Sequence, residues 1–217
     1  MEILNNIWVA LSTPNEGLLK IISMPLYFVE AFLIMYLFLN VIEINSTRKQ
    51  RIIYIISTSI ASILITNFIP GPFNIYINYP FMFLLVCIIF KGSTLKKCLS
   101  LLIALVIFNL LGALILNPFI TLFNITSDEL STIPIYRISY MLVMYIIVAM
   151  LILIFKAKNL QLNFMEDIDN KSKYIIFINF LLGIVTIIVQ SVTLYYFVDS
   201  LPILITFLNF MTFLAYF

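Results

Sequence analysis

The sequence contains no histidine among its 217 residues. Histidine is the side chain that titrates nearest neutral pH and the commonest metal ligand, so its absence excludes histidine-based catalysis, a phosphoacceptor histidine and most transition-metal sites. Cys87 and Cys98 show neither metal-ligand spacing nor a disulfide framework, and we expect them to be free, buried thiols. We therefore predict no metal ion, no cofactor and no catalytic residues within this chain.

Charged residues are also scarce, at 10% of the chain, whereas hydrophobic residues make up 63%. Soluble domains have roughly 25% charged and 45–50% apolar residues. The composition is that of an integral membrane protein, located in the cell membrane as a multi-pass chain. We expect the lipid bilayer to be its solvent, and we expect no nucleic acid among its partners.

Long apolar runs predict an all-α, polytopic transmembrane helix bundle of about seven spans, with six as an alternative, because a crossing helix needs about 20 apolar residues. The predicted spans are 21–42, 52–69, 75–90, 98–118, 134–155, 174–198 and 201–217. Residues 1–20 lack the basic cluster and cleavage site of a signal peptide, so they are predicted to be an extracellular or interfacial segment. Residues 21–217 are predicted to form one transmembrane domain.

The lysines and arginines predict the orientation of the chain. Ten of the twelve lie in three alternate loops, 43–51, 91–97 and 156–173. Basic loops favour the cytoplasmic side, which predicts an external N-terminus and a cytoplasmic C-terminus. The two exceptions are Lys20, before the first span, and Arg137, just inside the fifth.

Glu30 lies within the apolar stretch "MPLYFVEAFLIMYL". It is about 14 Å along its predicted span at about 1.5 Å per residue, near the middle of the bilayer. An ionised side chain at that depth costs roughly 2.5 to 3.5 kcal/mol, so Glu30 must face the bundle interior, find a partner or be protonated. Arg137 is one candidate partner, and a neutral carboxyl bonded to a hydroxyl or amide is the alternative.

Other polar or small residues are candidates for ligand contact or for helix packing. The sixth span carries a polar stripe that indicates either a packed helix face or a ligand pocket. The external loop residues 70–80, "PGPFNIYINYP", are suited to a hydrophobic peptide or to lipid headgroups. The ligand candidates are Asn179, Thr186, Gln190, Tyr76 and Tyr79, and the packing candidates are Ser57, Ala61, Gly112 and Gly183.

The span layout, the loops "STRKQR" and "KGSTLKK" and the last span "PILITFLNFMTFLAYF" resemble the sensor region of AgrC-type quorum-sensing histidine kinases of the GHKL family. The resemblance covers essentially the whole chain. It implies that residues 21–217 are a sensor domain that reads an extracellular signal, typically a peptide. It also implies a homodimer that passes the signal to a cytoplasmic kinase.

The sequence departs from that family because the phosphoacceptor histidine and the ATP-binding domain are missing. This chain is therefore either the membrane half of a longer protein, as we expect, or a receptor remnant. As it stands it would sense but not phosphorylate, and the parent protein would be the enzyme. The alternative is the substrate-binding membrane subunit of a small-molecule transporter of the energy-coupling-factor type. The single alanine of the first span argues against that alternative, since such subunits use small-residue motifs there, but the Ser57/Ala61 pair of the second span could substitute. A structural or assembly membrane protein without a ligand is a third alternative.

Overall fold

A computed structural model describes residues 2–42, 44–69 and 74–158, together with Ser172, Tyr174, Ile175 and Ile178. The continuous ranges form helices joined by short connections, with no strand in them, so the predicted all-α class is confirmed for this part of the chain. The helices are α1 (Glu2–Ser12), α2 (Glu16–Val41), α3 (Arg48–Phe68), α4 (Asn74–Ile89), α5 (Thr94–Phe123), α6 (Ser127–Thr132) and α7 (Pro134–Ala157).

Four of these helices, α2, α3, α5 and α7, are long and apolar enough to cross a membrane, which is typical of a membrane protein. The apolar part of α4 is shorter, at Ile77–Ile89. Helix α2 begins at Glu16 rather than at the predicted residue 21, so the segment 1–20 contains α1 and the first turn of α2. The predicted spans 174–198 and 201–217 lie almost wholly outside the described residues. The number of crossings and the orientation remain predictions.

The helix ends follow from local side-chain chemistry. Asn15 precedes α2, and its side-chain oxygen accepts a hydrogen bond from the Leu18 amide at 3.0 Å. Thr47 and Gln50 form a reciprocal capping box at the start of α3. Asn124 ends α5 in the left-handed conformation that asparagine tolerates, with φ of 50°. Such caps satisfy backbone groups that a helix terminus leaves without an intrahelical partner.

Helix α2 is central to the described bundle because it contacts α3, α5 and α7. Helix α3 also contacts α4, α4 contacts α5, and α5 contacts α7, while α1 and α6 contact α7. The main core combines side chains from α2, α3, α4, α5 and α7, including the fully buried Phe38, Val86 and Leu105. Van der Waals packing among these side chains is the main attraction available between helices in lipid, where burial from water supplies little.

The packing is closer at one end of the bundle than at the other. Apart from Leu19, the buried side chains of α2 fall between Ala31 and Val41, and those of α7 after its first residue begin at Met144. Most buried residues of α5 lie in its first half. All three groups lie toward the end that the basic loops predict to be cytoplasmic. The opposite end is looser, because its buried side chains are fewer and centre on a separate cluster of Phe119, Ile125 and Leu130.

Side chains of the neighbouring helices bond the free carbonyls at the end of α4. The Lys97 ammonium, only 5% exposed, donates to the carbonyl oxygens of Cys87 and Phe90, each at 2.9 Å. The Gln50 amide donates to the carbonyl of Ile89 at 2.7 Å. A cation at this position also complements the partial negative charge of a helix C-terminus. Lys97 and Gln50 therefore join α3, α4 and α5 at one point.

Replacing Lys97 by Met should lower the stability of the bundle. The substitution keeps the length of the side chain but removes both charge-assisted bonds and leaves two carbonyls unsatisfied, at a cost of about 2–3 kcal/mol. Thermal unfolding of the full chain in maltoside micelles measures the effect. The matched control is Lys91→Met, because Lys91 is an exposed lysine in the turn just before α5. Equal midpoints for the two variants would contradict the bonding role of Lys97.

Candidate functional site

Glu30 lies at the boundary between the two halves of α2. Its side chain is half-buried, and the closely packed stretch of the helix starts at the next residue, Ala31. The Tyr145 hydroxyl of α7 donates to the backbone carbonyl of Leu26 at 3.2 Å, one turn before Glu30. This bond attaches α7 to α2 one turn from Glu30. Glu30 therefore lies where the closely packed core begins.

Three polar side chains lie within electrostatic range of the Glu30 carboxyl group, namely Arg137, Tyr79 and Tyr145. Arg137 was the partner considered from the sequence. In the described part of the chain, however, no nitrogen–oxygen ion pair within 4.0 Å joins Glu30 to Arg137. The two charges therefore interact at longer range, which leaves the carboxyl group able to acquire a different partner.

Two side-chain hydrogen bonds join neighbouring helices, and one of them involves Tyr79. The Tyr79 hydroxyl of α4 bonds the side-chain oxygen of Asn109 of α5 at 2.9 Å. The Ser62 hydroxyl of α3 bonds the side-chain oxygen of Asn78 at 3.1 Å. Tyr79 is thus a half-buried link between helices, whereas the side chain of Tyr76 is outside the description. Such bonds hold polar groups inside a helix bundle where lipid offers no alternative partner.

A cleft of about 200 Å³ opens between α2, α3 and the start of α7. It contains both basic residues that lie outside the three basic loops, Lys20 and Arg137. The sequence analysis did not predict a role for Lys20. The position of both residues outside the basic loops was the one feature of the sequence that could have related Lys20 to Arg137. The lining residues are Glu16, Leu19, Lys20, Ser23, Met24, Tyr27, Ile63, Thr66, Asn67 and Arg137.

The walls of the cleft are held by bonds from α2. The Tyr27 hydroxyl donates to the Thr66 hydroxyl at 3.2 Å, and the Tyr27 carbonyl accepts from the Ser59 hydroxyl at 3.3 Å. The Asn15 amide, just before α2, donates to the carbonyl of Thr132 at 3.3 Å, near the start of α7. These hydrogen bonds fix α2 against α3 and fix the start of α2 against the end of α6, so they hold the walls of the cleft in place.

The packing residues predicted from the sequence occupy different environments. Gly112 of α5 is buried, and the Tyr140 hydroxyl of α7 donates to its carbonyl at 2.9 Å. A Cβ atom at Gly112 would lie 3.3 Å from that hydroxyl, so glycine permits the close approach of α5 and α7. On α3, Ser57 and Ala61 are half-buried, whereas the adjacent Thr58, Ser59 and Ser62 form the more buried face.

Four candidates of the sixth predicted span lie outside the described residues, namely Asn179, Gly183, Thr186 and Gln190. Within the described ranges, no group of three or more cysteine, aspartate or glutamate side chains could hold a metal ion. The polar groups that do converge are a carboxyl group, a guanidinium group, phenols and amides. This set can bind and reorient a polar ligand or exchange hydrogen-bond partners.

A double-mutant cycle should reveal only weak coupling between Glu30 and Arg137. We expect Glu30→Gln and Arg137→Gln to have nearly additive effects on unfolding free energy, with a coupling below about 1 kcal/mol, because no direct ion pair forms. A direct buried pair would lose about 3 kcal/mol or more when one partner is removed, so a coupling that large would contradict the geometry. The control cycle pairs Glu30→Gln with Lys156→Gln, at the far end of α7.

Comparison with protein-family models, with curated proteins and with solved structures finds no match to this chain. Function is therefore inferred from the residues and contacts described above.

Proposed function

We propose that this chain is the membrane-embedded sensor domain of a bacterial two-component receptor. It detects an extracellular signal, which we take to be a peptide, and relays it to a cytoplasmic kinase domain outside this chain. The receptor acts as a homodimer in this proposal. The observation that supports it best is the position of Arg137, which lines a cleft at the predicted outer end of the bundle and lies within electrostatic range of the half-buried residue Glu30 without an ion pair to it.

The difference between the two ends of the bundle fits a sensor. Its closely packed end, with the Lys97 side chain bonded to the end of α4, can transmit a displacement as a unit. The looser end, with the cleft and Glu30, can change when a ligand arrives. A ligand shifts such an equilibrium only as far as its affinities for the two arrangements differ.

Glu30 has a definite role in this proposal. Arg137 lines the cleft and is also within electrostatic range of Glu30, so a ligand that engages the guanidinium group weakens its attraction for the carboxyl group. Glu30 then accepts a hydrogen bond from Tyr79 or Tyr145, whose hydroxyl leaves its present acceptor, the Asn109 side chain or the Leu26 carbonyl. Because α2 contacts α3, α5 and α7, a small change at Glu30 reaches all three.

The proposal predicts that the gene is required for a response to a secreted peptide. In the organism that encodes the protein, deletion of the gene should abolish a transcriptional response to culture medium conditioned by the same cells. Protease treatment of the medium should abolish it as well. In a complemented strain, Glu30→Gln should shift the half-maximal dose several-fold without lowering the amount of protein in the membrane.

Asp128→Asn is the matched control, because Asp128 is an exposed acidic residue of α6 on the predicted outer side. It should leave the dose response unchanged. An unchanged response in the deletion strain would refute the sensor proposal. If that strain instead failed to take up a small nutrient, the transporter-subunit alternative would be favoured.

A further inference from the structure

The cleft between α2, α3 and α7 has the charges of an anion site. Lys20 is exposed at its rim and Arg137 is half-buried in it. Glu16 lines the same cleft, yet no ion pair within 4.0 Å joins it to either cation among the described residues. Two cationic residues that line one cleft, without an ion pair to its carboxylate, are suited to bind an oxyanion.

The size and lining of the cleft narrow the choice of ligand. Its volume of about 200 Å³ is below the roughly 300–1,000 Å³ that a drug-sized ligand occupies, so it can hold only one end of a larger molecule. Leu19, Met24 and Ile63 supply an apolar wall, and Thr66 and Asn67 supply polar groups. A group with a charged end and an apolar body matches that lining.

We propose that this cleft binds the C-terminal residue of a peptide, with its carboxylate between Lys20 and Arg137 and its side chain against the apolar wall. The proposal rests on the proposed sensor function and specifies the part of the ligand that is recognised. The formal charges of Glu16, Lys20 and Arg137 sum to a single positive charge, which matches one carboxylate. Glu16 would repel a more highly charged phosphate.

The test compares two peptide probes with the full chain in lipid-free maltoside micelles. Acetyl-leucyl-phenylalanine carries a free carboxylate, and its carboxamide has the same shape without the charge. Saturation-transfer NMR against empty micelles corrects for partition into detergent. The acid should bind about fivefold or more tightly than the amide, as expected when one charge is engaged at a partly exposed site.

Two variants show whether the cleft causes that preference. Lys20→Gln and Arg137→Gln should each abolish the difference between acid and amide, and the exposed position of Lys20 makes its variant safe for folding. Lys156→Gln, which removes the same charge at the other end of α7, should preserve the difference. Equal binding of acid and amide by the wild type, or a preference that survives Lys20→Gln, would overturn the proposal.

Competition with a phospholipid shows whether the cleft binds a peptide or a lipid headgroup. If phosphatidylglycerol displaces the acid probe from the wild type and binds Lys20→Gln poorly, the cleft is a lipid site and the peptide proposal is wrong. Loss of acid selectivity with a retained response to conditioned medium would leave the sensor function standing and refute only this site. Acid selectivity without any cellular response would preserve the site and refute the sensor function.

A second and independent inference concerns the two cysteines. Cys87 near the end of α4 and Cys98 near the start of α5 place their sulfur atoms 3.5 Å apart, and both are half-buried. A disulfide needs sulfurs at about 2.0 Å, so a shift of these side chains suffices for sulfur contact. The pair adjoins the point at which Lys97 bonds the Cys87 carbonyl.

We infer that Cys87 and Cys98 form an oxidation site that links α4 to α5 when a peroxide is present. One thiolate attacks hydrogen peroxide and becomes a sulfenic acid with release of hydroxide, which takes up a proton to form water. The second thiolate attacks that sulfur, the S–S bond forms, and the departing hydroxide is protonated to water. Two thiols and one peroxide thus give one disulfide and two waters.

Intact-mass analysis of the full chain in micelles tests this inference. Hydrogen peroxide should lower the mass by about 2 Da, the two hydrogens lost, and remove both alkylation sites, and a reductant should restore them. Cys98→Ser should prevent the intramolecular product and leave Cys87 as a sulfenic acid that a trapping reagent labels. Two thiols that remain alkylatable after oxidation, or a product that is only intermolecular, would overturn the inference.

Discussion

Backbone polar groups that have no water nearby must be bonded within the protein, and this constraint governs how the described helices fit together. Helix α4 shows it most clearly, because its apolar part is shorter than that of the four long helices and its C-terminal carbonyls lie against neighbouring helices. Lys97 and Gln50 bond three of those carbonyls from two different helices. The relative positions of α3, α4 and α5 are therefore set by hydrogen bonds as well as by packing.

The same constraint has a different outcome at the opposite end of the bundle. There single hydrogen bonds join polar side chains to one another or to the backbone. Tyr79 bonds the Asn109 side chain, and Tyr145 bonds the Leu26 carbonyl. Glu30 and Arg137 stay unpaired with each other in the described structure, and the cleft beside them is open. One end thus favours a single arrangement, whereas the other has several polar groups that can exchange partners.

Helices α2, α3, α4, α5 and α7 were predictable from the sequence because each contains a long apolar run, whereas α1 and the short polar helix α6 were not predicted as helices. The cap residues Asn15 and Thr47 refine the ends that hydropathy alone places a few residues away. Glu30 was recognisable as a special residue because a carboxylate within an apolar run is costly. Its lack of an ion pair with Arg137 was not predictable, since that depends on how far apart α2 and α7 are held.

The functions of Lys97, Lys20 and the cysteines depend on three-dimensional proximity that no spacing reveals. Lys97 is one of three lysines in one short loop, and nothing in the order of residues shows which of them is buried. Lys20 and Arg137 are far apart in the chain and meet only because α2 and α7 pack together. Cys87 and Cys98 meet because α4 and α5 form a helical hairpin with Gly92, at positive φ, in the turn.

The two bonds of Tyr27 have a mechanical consequence. Its hydroxyl bonds Thr66 and its carbonyl accepts from Ser59, so α2 is attached to α3 through a side chain and through its backbone, at two heights. Rotation of α2 about its own axis would break the side-chain bond first, whereas joint tilting of α2 and α3 would preserve both. A ligand that binds at the rim of the cleft is therefore expected to tilt α2 and α3 together. The tilt would be centred near Ala31, where the close packing of α2 begins.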